Sequence, residues 1–311
     1  MVHAEAFDGS VPVYRHMVRN ESQRAWLSSL PGLVAEYEQR WGISTGAPYR
    51  SGTSAWVAPG TLPDGREAVL KIVWPHREAA GEAAGLRQWA GKGAVELYDS
   101  DAEHFALLLE RCSPGTALTD SDLRPEDALT EAAEVLARLW STAPREDPGP
   151  GLDTVAGMSK EWLVEAEERR ERFRPAFDRS LMEKGLGLLR TLPASATRSV
   201  VVHGDFNPGN VLRSSREPWL AIDAKPIVGD PGIDPEPLVS QVDNPFAHAD
   251  TAAVLRRRYA LVADIVGEPA ERLIAWAFAR FVQSALWCVA HGEDGLDDMA
   301  DAAVLAGLIG V

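Results

Sequence analysis

The segment VVHGDFNPGNVL, residues 201–212, decides the fold because it places a polar cluster between two short apolar runs. Apolar runs of this length predict short buried strands, and the residues between them predict a loop that those strands hold rigidly. Asp205 and Asn210 lie five residues apart on this loop. We therefore expect their side chains to act on the same bound group.

Asp205 and Asn210 are residue types that phosphoryl transfer requires. An attacking hydroxyl needs a carboxylate that orients it and accepts its proton, and a nearby amide oxygen binds a metal ion that neutralises the phosphates. The spacing predicts that Asp205 is a catalytic base and Asn210 a metal ligand. A single match of this kind also arises by chance, so it needs support elsewhere in the chain. We expect His203 to brace the loop rather than take part in the chemistry.

A second segment supplies that support, because in PWLAIDAKPIVGDPGIDP, residues 218–235, an apolar strand ends on Asp223. Asp223 follows Asn210 by thirteen residues. A carboxylate at this place can bind a divalent metal ion beside the asparagine, as the second metal-binding aspartate of kinases does. The alternative is a residue that caps a turn. We predict that Asp223 is the second metal ligand.

A lysine that holds nucleotide phosphates is expected upstream, on a strand followed by a helix that carries an acid. The segment AVLKIV places Lys71 in the middle of an apolar strand, where an unpaired charge is costly. Glu78 and Glu82 lie one helical turn apart on the next helix, and either can pair with it. In the preceding segment RSGTSAWV, Ser51 and Gly52 are candidate phosphate contacts, although an ordinary hairpin explains that segment nearly as well.

The order of predicted elements divides the chain into two lobes. Residues 45–111 indicate strand, strand, helix, strand, strand, preceded by an amphipathic helix over 20–41 that we expect to be interrupted near Pro31. The remainder is mostly helical, with a Pro/Gly-rich loop predicted over 141–158. The helices in this part are predicted over 126–140, over 161–173 and, as a buried helix, over 271–292. We place the boundary after LLLERC, which gives lobes 1–111 and 112–311.

Composition and charge narrow the classes of partner. The 311-residue chain carries 46 acidic residues against 31 Lys and Arg, for a formal net charge of −15. Nucleic acids are unfavourable partners because phosphate contacts need clustered cationic residues, whereas cationic small molecules are favoured. High acidity also serves solubility alone.

The sequence also carries signals about cellular location. We expect no secretory signal, because the first residues lack a basic region followed by an apolar core, and no membrane span. Cys112 and Cys288 lie far apart, which is consistent with a reducing compartment. We expect a cytoplasmic protein that contacts no membrane. The sequence leaves the oligomeric state open, and we favour a monomer.

The chain resembles the aminoglycoside phosphotransferases in five features that follow one another in this order: Lys71, the helical glutamates, LLLERC, HGDFNPGNVL and WLAIDAKPIVGDPGIDP. More narrowly, they resemble the branch of streptomycin 6-phosphotransferases and hydroxyurea kinases. The resemblance implies an α+β, bilobal, protein-kinase-like fold, with a small antiparallel N-terminal sheet, one helix, and a mostly helical C-terminal lobe. It implies that ATP and Mg²⁺ bind in the cleft, that Glu82 pairs with Lys71, and that the backbone from Glu110 to Cys112 binds adenine.

The resemblance implies a substrate class, and three residues depart from the family pattern. Gly204, Phe206 and Asn207 replace residues common among streptomycin kinases, which directs attention to them as determinants of the substrate. We expect a hydroxyl of a small cationic antibiotic, first of all the 6-position of streptomycin, to be phosphorylated. The alternatives are hydroxyurea, another small hydroxylated metabolite, or a nucleotide-binding module without turnover.

Carboxylates that bind a cationic substrate are expected in two places. Asp234 and Glu236 are the first candidates, and the acidic helix carries Glu161, Glu165 and Glu168. The alternative for the helix is a solvated face. Asp230 and Asp234 can instead cap backbone amides, an interpretation that we favour for Asp230. Three aromatic residues near the C-terminus are expected in the core rather than at a substrate platform: Trp276, Phe281 and Trp287.

Overall fold

The computed structural model describes residues 4–142 and 152–311. The helices and strands of its N-terminal part are α1 (Val13–His16), α2 (Glu21–Trp41), β1 (Ser44–Thr45), β2 (Ala55–Thr61), β3 (Glu67–Val73), α3 (Glu82–Trp89), β4 (Leu97–Asp101) and β5 (Ala106–Glu110). The five strands form an antiparallel sheet of order β1-β2-β3-β5-β4. The predicted small sheet with one helix is confirmed.

The register of the sheet places Lys71 on its central strand. Lys71 of β3 pairs with Val57 of β2 on one side and with Leu107 of β5 on the other. A short helical turn, Glu78–Gly81, joins β3 to α3 and brings Glu82 to the first position of α3. The lysine and the start of α3 therefore face each other.

Helix α2 runs unbroken from Glu21 to Trp41, so the predicted interruption near Pro31 is wrong. A proline removes the N–H that would bond the carbonyl four residues earlier, here that of Leu27. The hydroxyl of Tyr14 donates to this carbonyl at 3.2 Å. The Leu27 carbonyl therefore has a hydrogen-bond donor in place of the N–H that Pro31 lacks. The buried side chains of α2 hold the helix in place against the sheet.

The C-terminal part is mostly helical, with short strands that carry loops. Its elements are α4 (Pro125–Trp140), β6 (Asp153–Thr154), α5 (Val155–Phe173), α6 (Arg179–Thr191), β7 (Val200–Val202), β8 (Val211–Arg213), β9 (Trp219–Ala221), β10 (Ile227–Gly229), α7 (Glu236–Gln241), α8 (Thr251–Val266), α9 (Ala270–Ala290) and α10 (Leu296–Ile309). Strand β10 lies between β6 and β7, and β8 pairs with β9. The bilobal expectation is confirmed.

The predicted loop over 141–158 is only partly observed. Residues 143–151 lie outside the described part of the chain, as do residues 1–3. Beyond the gap the prediction is wrong, because β6 occupies Asp153–Thr154 and α5 begins at Val155. The Thr154 side chain accepts the N–H of Gly157 at 3.0 Å and starts the helix as an N-cap.

Helix α9 forms the centre of the C-terminal part and packs against α5, α6 and α10. In the described ranges it is the one helix long and apolar enough to cross a membrane, but 61% of its most apolar window is buried inside the protein. This burial is what the sequence predicts for the helix. Trp276 is fully buried on α9, as expected for a core residue.

Candidate active site

The loop between β7 and β8 is fixed by a second backbone segment. The N–H of Lys225 donates to the carbonyl of His203 at 2.8 Å. Gly204 has a φ of +80°, and a Cβ at this position would lie 2.1 Å from the Lys225 carbonyl oxygen. The loop therefore requires glycine at 204 for its own conformation.

His203 braces the loop from within the core. Its Nε2 donates to the carbonyl of Ile222 at 3.0 Å, and its Nδ1 accepts the N–H of Asp205 at 3.3 Å. Burial lowers the pKa of His203 to about 4, so the ring is neutral at physiological pH. The expectation that it braces the loop agrees with this arrangement.

The structure does not place Asp234 as the substrate ligand expected from the sequence. Its carboxylate accepts the backbone N–H groups of His203 at 2.7 Å and of Gly204 at 2.8 Å. Burial raises the pKa of Asp234 to about 6. Although Asp234 lies at the cavity wall, both of its oxygens are occupied by the loop, because a sharp turn leaves these amides without another acceptor.

Asp230 has the bracing role that we favoured for it. Its carboxylate accepts the N–H of Gly232 at 3.0 Å and forms an ion pair with Arg272 at 2.5 Å. The indole N–H of Trp276 donates to it as well. These contacts anchor the segment after β10 to α9.

Asp205 is oriented through both of its side-chain oxygens. Its Oδ1 accepts from Asn207 Nδ2 at 3.1 Å, and its Oδ2 lies 3.2 Å from Lys225 Nζ. The Asn210 amide Nδ2 donates to the Asp205 backbone carbonyl at 3.0 Å. This bond leaves the carbonyl oxygen of the Asn210 amide free to bind a metal ion.

Lys71, Glu82 and Asp223 form one charged cluster under the sheet. Lys71 Nζ lies 2.6 Å from Glu82 Oε1 and 2.6 Å from Asp223 Oδ1. Burial works against the charged lysine, but the two carboxylates outweigh it and raise the pKa of Lys71. The charge of Lys71 lowers the pKa of Asp223. Burial raises the pKa of Glu82, against the lowering effect of the Lys71 charge.

Glu78 is not the partner of Lys71, although the sequence left that alternative open. Its carboxylate lies 3.5 Å from Lys225 Nζ. Because residues 78–81 form a tight helical turn, Glu78 projects toward the C-terminal part whereas Glu82 projects toward β3. The structure thus separates the two glutamates.

Asn210 and Asp223 suit a magnesium ion that also binds phosphates. Mg²⁺ takes few protein ligands at nucleotide sites, and its preferred donors are carboxylate, amide and phosphate oxygens. No group of three or more His, Cys, Asp or Glu in the described part of the chain forms a metal cage. One amide and one carboxylate, with phosphates completing the shell, fit this donor set.

The remaining residues predicted to bind nucleotide lie on the N-terminal part and at its junction with the C-terminal part. Gly52 has a φ of +84° in the exposed segment before β2, next to Ser51. The Glu110 side chain forms an ion pair with Arg216 at 2.8 Å and is thus turned away from bulk solvent. Cys112 follows β5 and is buried. These positions border the sheet rather than the cavity described next.

A cavity of about 820 Å³ opens in front of Asp205. Its acidic lining residues outnumber the cationic ones and comprise Glu78, Asp153, Glu161, Glu165, Asp205, Asp234 and Glu236. The guanidinium of Arg77 lies across it and pairs with Asp153 at 2.7 Å and with Glu161. Glu236 is at the wall, where it accepts from the Ser240 hydroxyl at 2.9 Å. Glu161 and Glu165 thus face the cavity, whereas Glu168 is exposed elsewhere.

Aromatic residues divide between the core and the cavity. Trp287 lines the cavity with 44% of its surface exposed, so the core expectation is wrong for this residue. Phe281 packs against the core. Trp162, which the sequence did not single out, lies under the Arg280 guanidinium at 4.1 Å from the ring centroid. Both Trp162 and Arg280 line the cavity.

The residues that depart from the family pattern lie where they support the loop. Phe206 is fully buried and packs edge-on against His203. Asn207 binds the Asp205 side chain, and Gly204 meets the backbone of Lys225. Gly204 also borders the cavity, and a part of these three residues in the choice of substrate stays a prediction.

Comparisons with known sequences match this chain to one family of kinases. The sequence matches the aminoglycoside/hydroxyurea antibiotic resistance kinase family over residues 40–292. A hydroxyurea phosphotransferase from Kitasatospora aureofaciens is 37% identical over 92% of this chain and 82% of its own. A streptomycin 6-kinase from Streptomyces glaucescens is 35% identical over 90% of each chain.

Solved structures share the fold at low sequence identity. A macrolide 2'-phosphotransferase from Brachybacterium faecium superposes with a TM-score of 0.57 at 18% identity, covering 89% of this chain and 97% of its own. A choline kinase from Streptococcus pneumoniae has a TM-score of 0.59 at 16% identity, covering 89% and 99%. These likenesses show a protein-kinase-like fold.

Proposed function

The chain belongs to the aminoglycoside/hydroxyurea antibiotic resistance kinases, and on this premise we propose that it phosphorylates streptomycin at the 6-hydroxyl. The observation that carries the proposal is the acidic cavity in front of Asp205, within which the protein already holds a guanidinium group. The kinase fold supplies the ATP site. The identity of the acceptor, the residue roles and the magnesium ion are parts of the proposal.

The proposed reaction is a direct transfer of the γ-phosphoryl group. Asp205 accepts the proton of the substrate hydroxyl while the oxygen forms a bond to the γ-phosphorus of ATP. The bond from that phosphorus to the bridging oxygen breaks, and its electron pair leaves with ADP. The products are a phosphate monoester, ADP and the proton on Asp205, which then passes to water.

The chain's own residues position the nucleotide. Lys71 binds the α- and β-phosphates and is held for that purpose by Glu82. Asn210 and Asp223 hold magnesium, which when bound neutralises phosphate charge. Ser51 and Gly52 cover the phosphates, and the backbone from Glu110 to Cys112 binds the adenine.

The cavity charges favour streptomycin because its streptidine ring carries two guanidinium groups. Carboxylates bind guanidinium groups through paired, charge-assisted hydrogen bonds, and aromatic faces bind cations as well. Asp153 and Glu161 hold Arg77 in this way. We propose that they and Glu165 bind the substrate cation, with Trp287 as an aromatic wall.

Hydroxyurea is the second candidate, favoured by the identity to the hydroxyurea phosphotransferase. It is small and uncharged, so the acidic wall would contribute little to its binding. We further propose that the protein acts in the cytoplasm as a monomer, without nucleic acid or membrane partners. Its net charge of −15 disfavours binding to nucleic acid.

An acceptor panel tests the assignment. Purified protein with ATP and magnesium is mixed separately with streptomycin, hydroxyurea and choline, and each acceptor is weighed by mass spectrometry after the reaction. We expect a gain of one phosphate on streptomycin. Phosphate on hydroxyurea alone would transfer the assignment to the second candidate, and phosphate on none would refute both.

A further inference from the structure

We propose that Lys225 is a further catalytic residue, which binds the γ-phosphoryl oxygens during transfer; this inference rests on the proposed kinase reaction. Its Nζ lies 3.2 Å from Asp205 Oδ2 and its side chain lines the cavity. In the described part of the chain, Lys225 is the only ion-pair partner of Asp205. The residue is therefore placed at the reacting end of the cleft.

The backbone of Lys225 is fixed relative to the loop that carries Asp205. Its N–H donates to the His203 carbonyl at 2.8 Å, and its own carbonyl fills the space that Gly204 leaves by lacking a Cβ. On a mobile segment, the position of the lysine ammonium relative to the phosphoryl group would vary. Here, two close backbone contacts fix Lys225 relative to the loop that carries Asp205.

The distance to Asp205 places the ammonium beside the transferred group. A catalytic base lies about 2.6–3.2 Å from the hydroxyl oxygen whose proton it accepts. That oxygen lies about 3–3.5 Å from the phosphorus it attacks. The γ-phosphoryl oxygens thus come within reach of an ammonium that contacts the same carboxylate. An ammonium has three donors, and Lys225 has two ion-pair partners in the described part of the chain, Asp205 at 3.2 Å and Glu78 at 3.5 Å.

Lys71 cannot supply the same charge. Its side chain is 7% exposed, and its ammonium is held between Glu82 and Asp223 under the sheet. The side chain of Lys225 is 42% exposed and faces the acceptor side of the cleft. The two lysines therefore bind different phosphates of ATP. Lys71 binds the α- and β-phosphates, which remain on ADP, and Lys225 binds the γ-phosphoryl group that is transferred.

An alternative role for Lys225 is to close the cleft through its ion pair with Glu78 of the N-terminal part. The two roles predict different effects of removing each partner. If the pair only closes the cleft, loss of either residue has the same effect. If Lys225 binds the phosphoryl group, loss of Glu78 leaves the catalytic charge in place.

The test compares Lys225→Gln, Lys225→Arg and Glu78→Gln in the full-length protein. We measure kcat for transfer to the best acceptor, kcat for hydrolysis of ATP by water, and the dissociation constant for ADP. Lys225→Gln is expected to lower both kcat values on the order of 100-fold. Its ADP affinity should change less than about threefold, because an exposed charge at this distance contributes little to ADP binding. Lys225→Arg should restore at least part of kcat, and Glu78→Gln should stay within about threefold of the wild type.

Three results overturn the proposal: a kcat of Lys225→Gln near the wild-type value, an equal loss in Glu78→Gln, or a loss in Lys225→Gln explained by weaker ADP binding. A wild type that neither transfers phosphate nor hydrolyses ATP refutes the kinase function, and the inference about Lys225 with it. Wild-type ATP hydrolysis without transfer to any acceptor in the panel refutes only the substrate assignment, and the hydrolysis rates then decide the role of Lys225.

Discussion

Lys71 and Asp223 are 152 residues apart in the chain, and their charged atoms lie 2.6 Å apart. The contact joins the central strand of the N-terminal sheet to the segment after β9. It brings the proposed phosphate-binding lysine and the proposed metal ligand to one point of the cleft. Nucleotide binding and magnesium binding are thus expected to depend on each other.

The ion pair of Lys71 with Glu82 is expected to support both stability and ATP binding. Glu82→Gln keeps the shape but removes a charge from a buried pair, at an expected cost of about 2 kcal/mol of unfolding free energy. If the same ~2 kcal/mol is lost from ATP binding, the KM for ATP should rise about 30-fold. Chemical denaturation and ATP-dependent rates measure both quantities. Glu78→Gln, whose side chain is 53% exposed, is the matched control, and equal effects of the two variants would contradict the assignment.

The carboxylates that hold Arg77 are expected to bind the substrate cation. Asp153→Asn and Glu161→Gln should each raise the KM for streptomycin about tenfold, because each removes charge-assisted hydrogen bonds. Neither should change the KM for uncharged hydroxyurea. Arg77→Ala leaves both carboxylates free and should lower the KM for streptomycin. Glu168→Gln, on the same helix as Glu161, is the control. A KM for streptomycin that stays at the wild-type value in Asp153→Asn, Glu161→Gln and Arg77→Ala would contradict the prediction.

The buried imidazole of His203 is expected to make stability depend on pH. Its folded pKa of about 4 lies below the ordinary value of 6.5, so between these values the unfolded chain binds the extra proton. His203 therefore raises the free energy of unfolding as pH rises, by about 3 kcal/mol in all. Asp234, with its pKa raised to about 6, has the opposite sign between 3.8 and 6. Because the two nearly cancel in the wild type, only a variant isolates either one.

Denaturation of the wild type and of His203→Gln between pH 4 and 6.5 isolates the histidine. The stability advantage of the wild type over the variant should grow with pH across this range and then level off. An advantage that stays constant would show that His203 titrates alike in the folded and unfolded states.

Chemistry-bearing residues close together in the chain could be predicted from the sequence. Asp205 and Asn210 share one loop, and Asp223 ends the next apolar strand, so periodicity and residue type locate them without tertiary information. The sheet of the N-terminal part was predictable for the same reason. Two short apolar runs that flank a tight turn at Asp64-Gly65 define its central hairpin.

The remaining features depend on contacts between distant segments. The choice between Glu78 and Glu82 is made by a short helical turn, and the continuity of α2 through Pro31 depends on the hydroxyl of Tyr14. The sequence left Asp234 open between a substrate ligand and a cap for backbone amides, because nothing local shows that two amides of another loop need its oxygens. Lys225 offered one signal, as the only cationic residue in the segment 218–235.

The role of Asp205 as the base of a phosphotransferase tests the account most directly. The measurement is phosphorus NMR of streptomycin, ATP and magnesium with the wild type and with Asp205→Asn, alongside ATP binding to both proteins. The account predicts one phosphate monoester per ADP from the wild type. In the variant it predicts a rate lower on the order of 1000-fold with ATP affinity kept within about threefold. An Asp205→Asn protein that forms the monoester at the wild-type rate would contradict it.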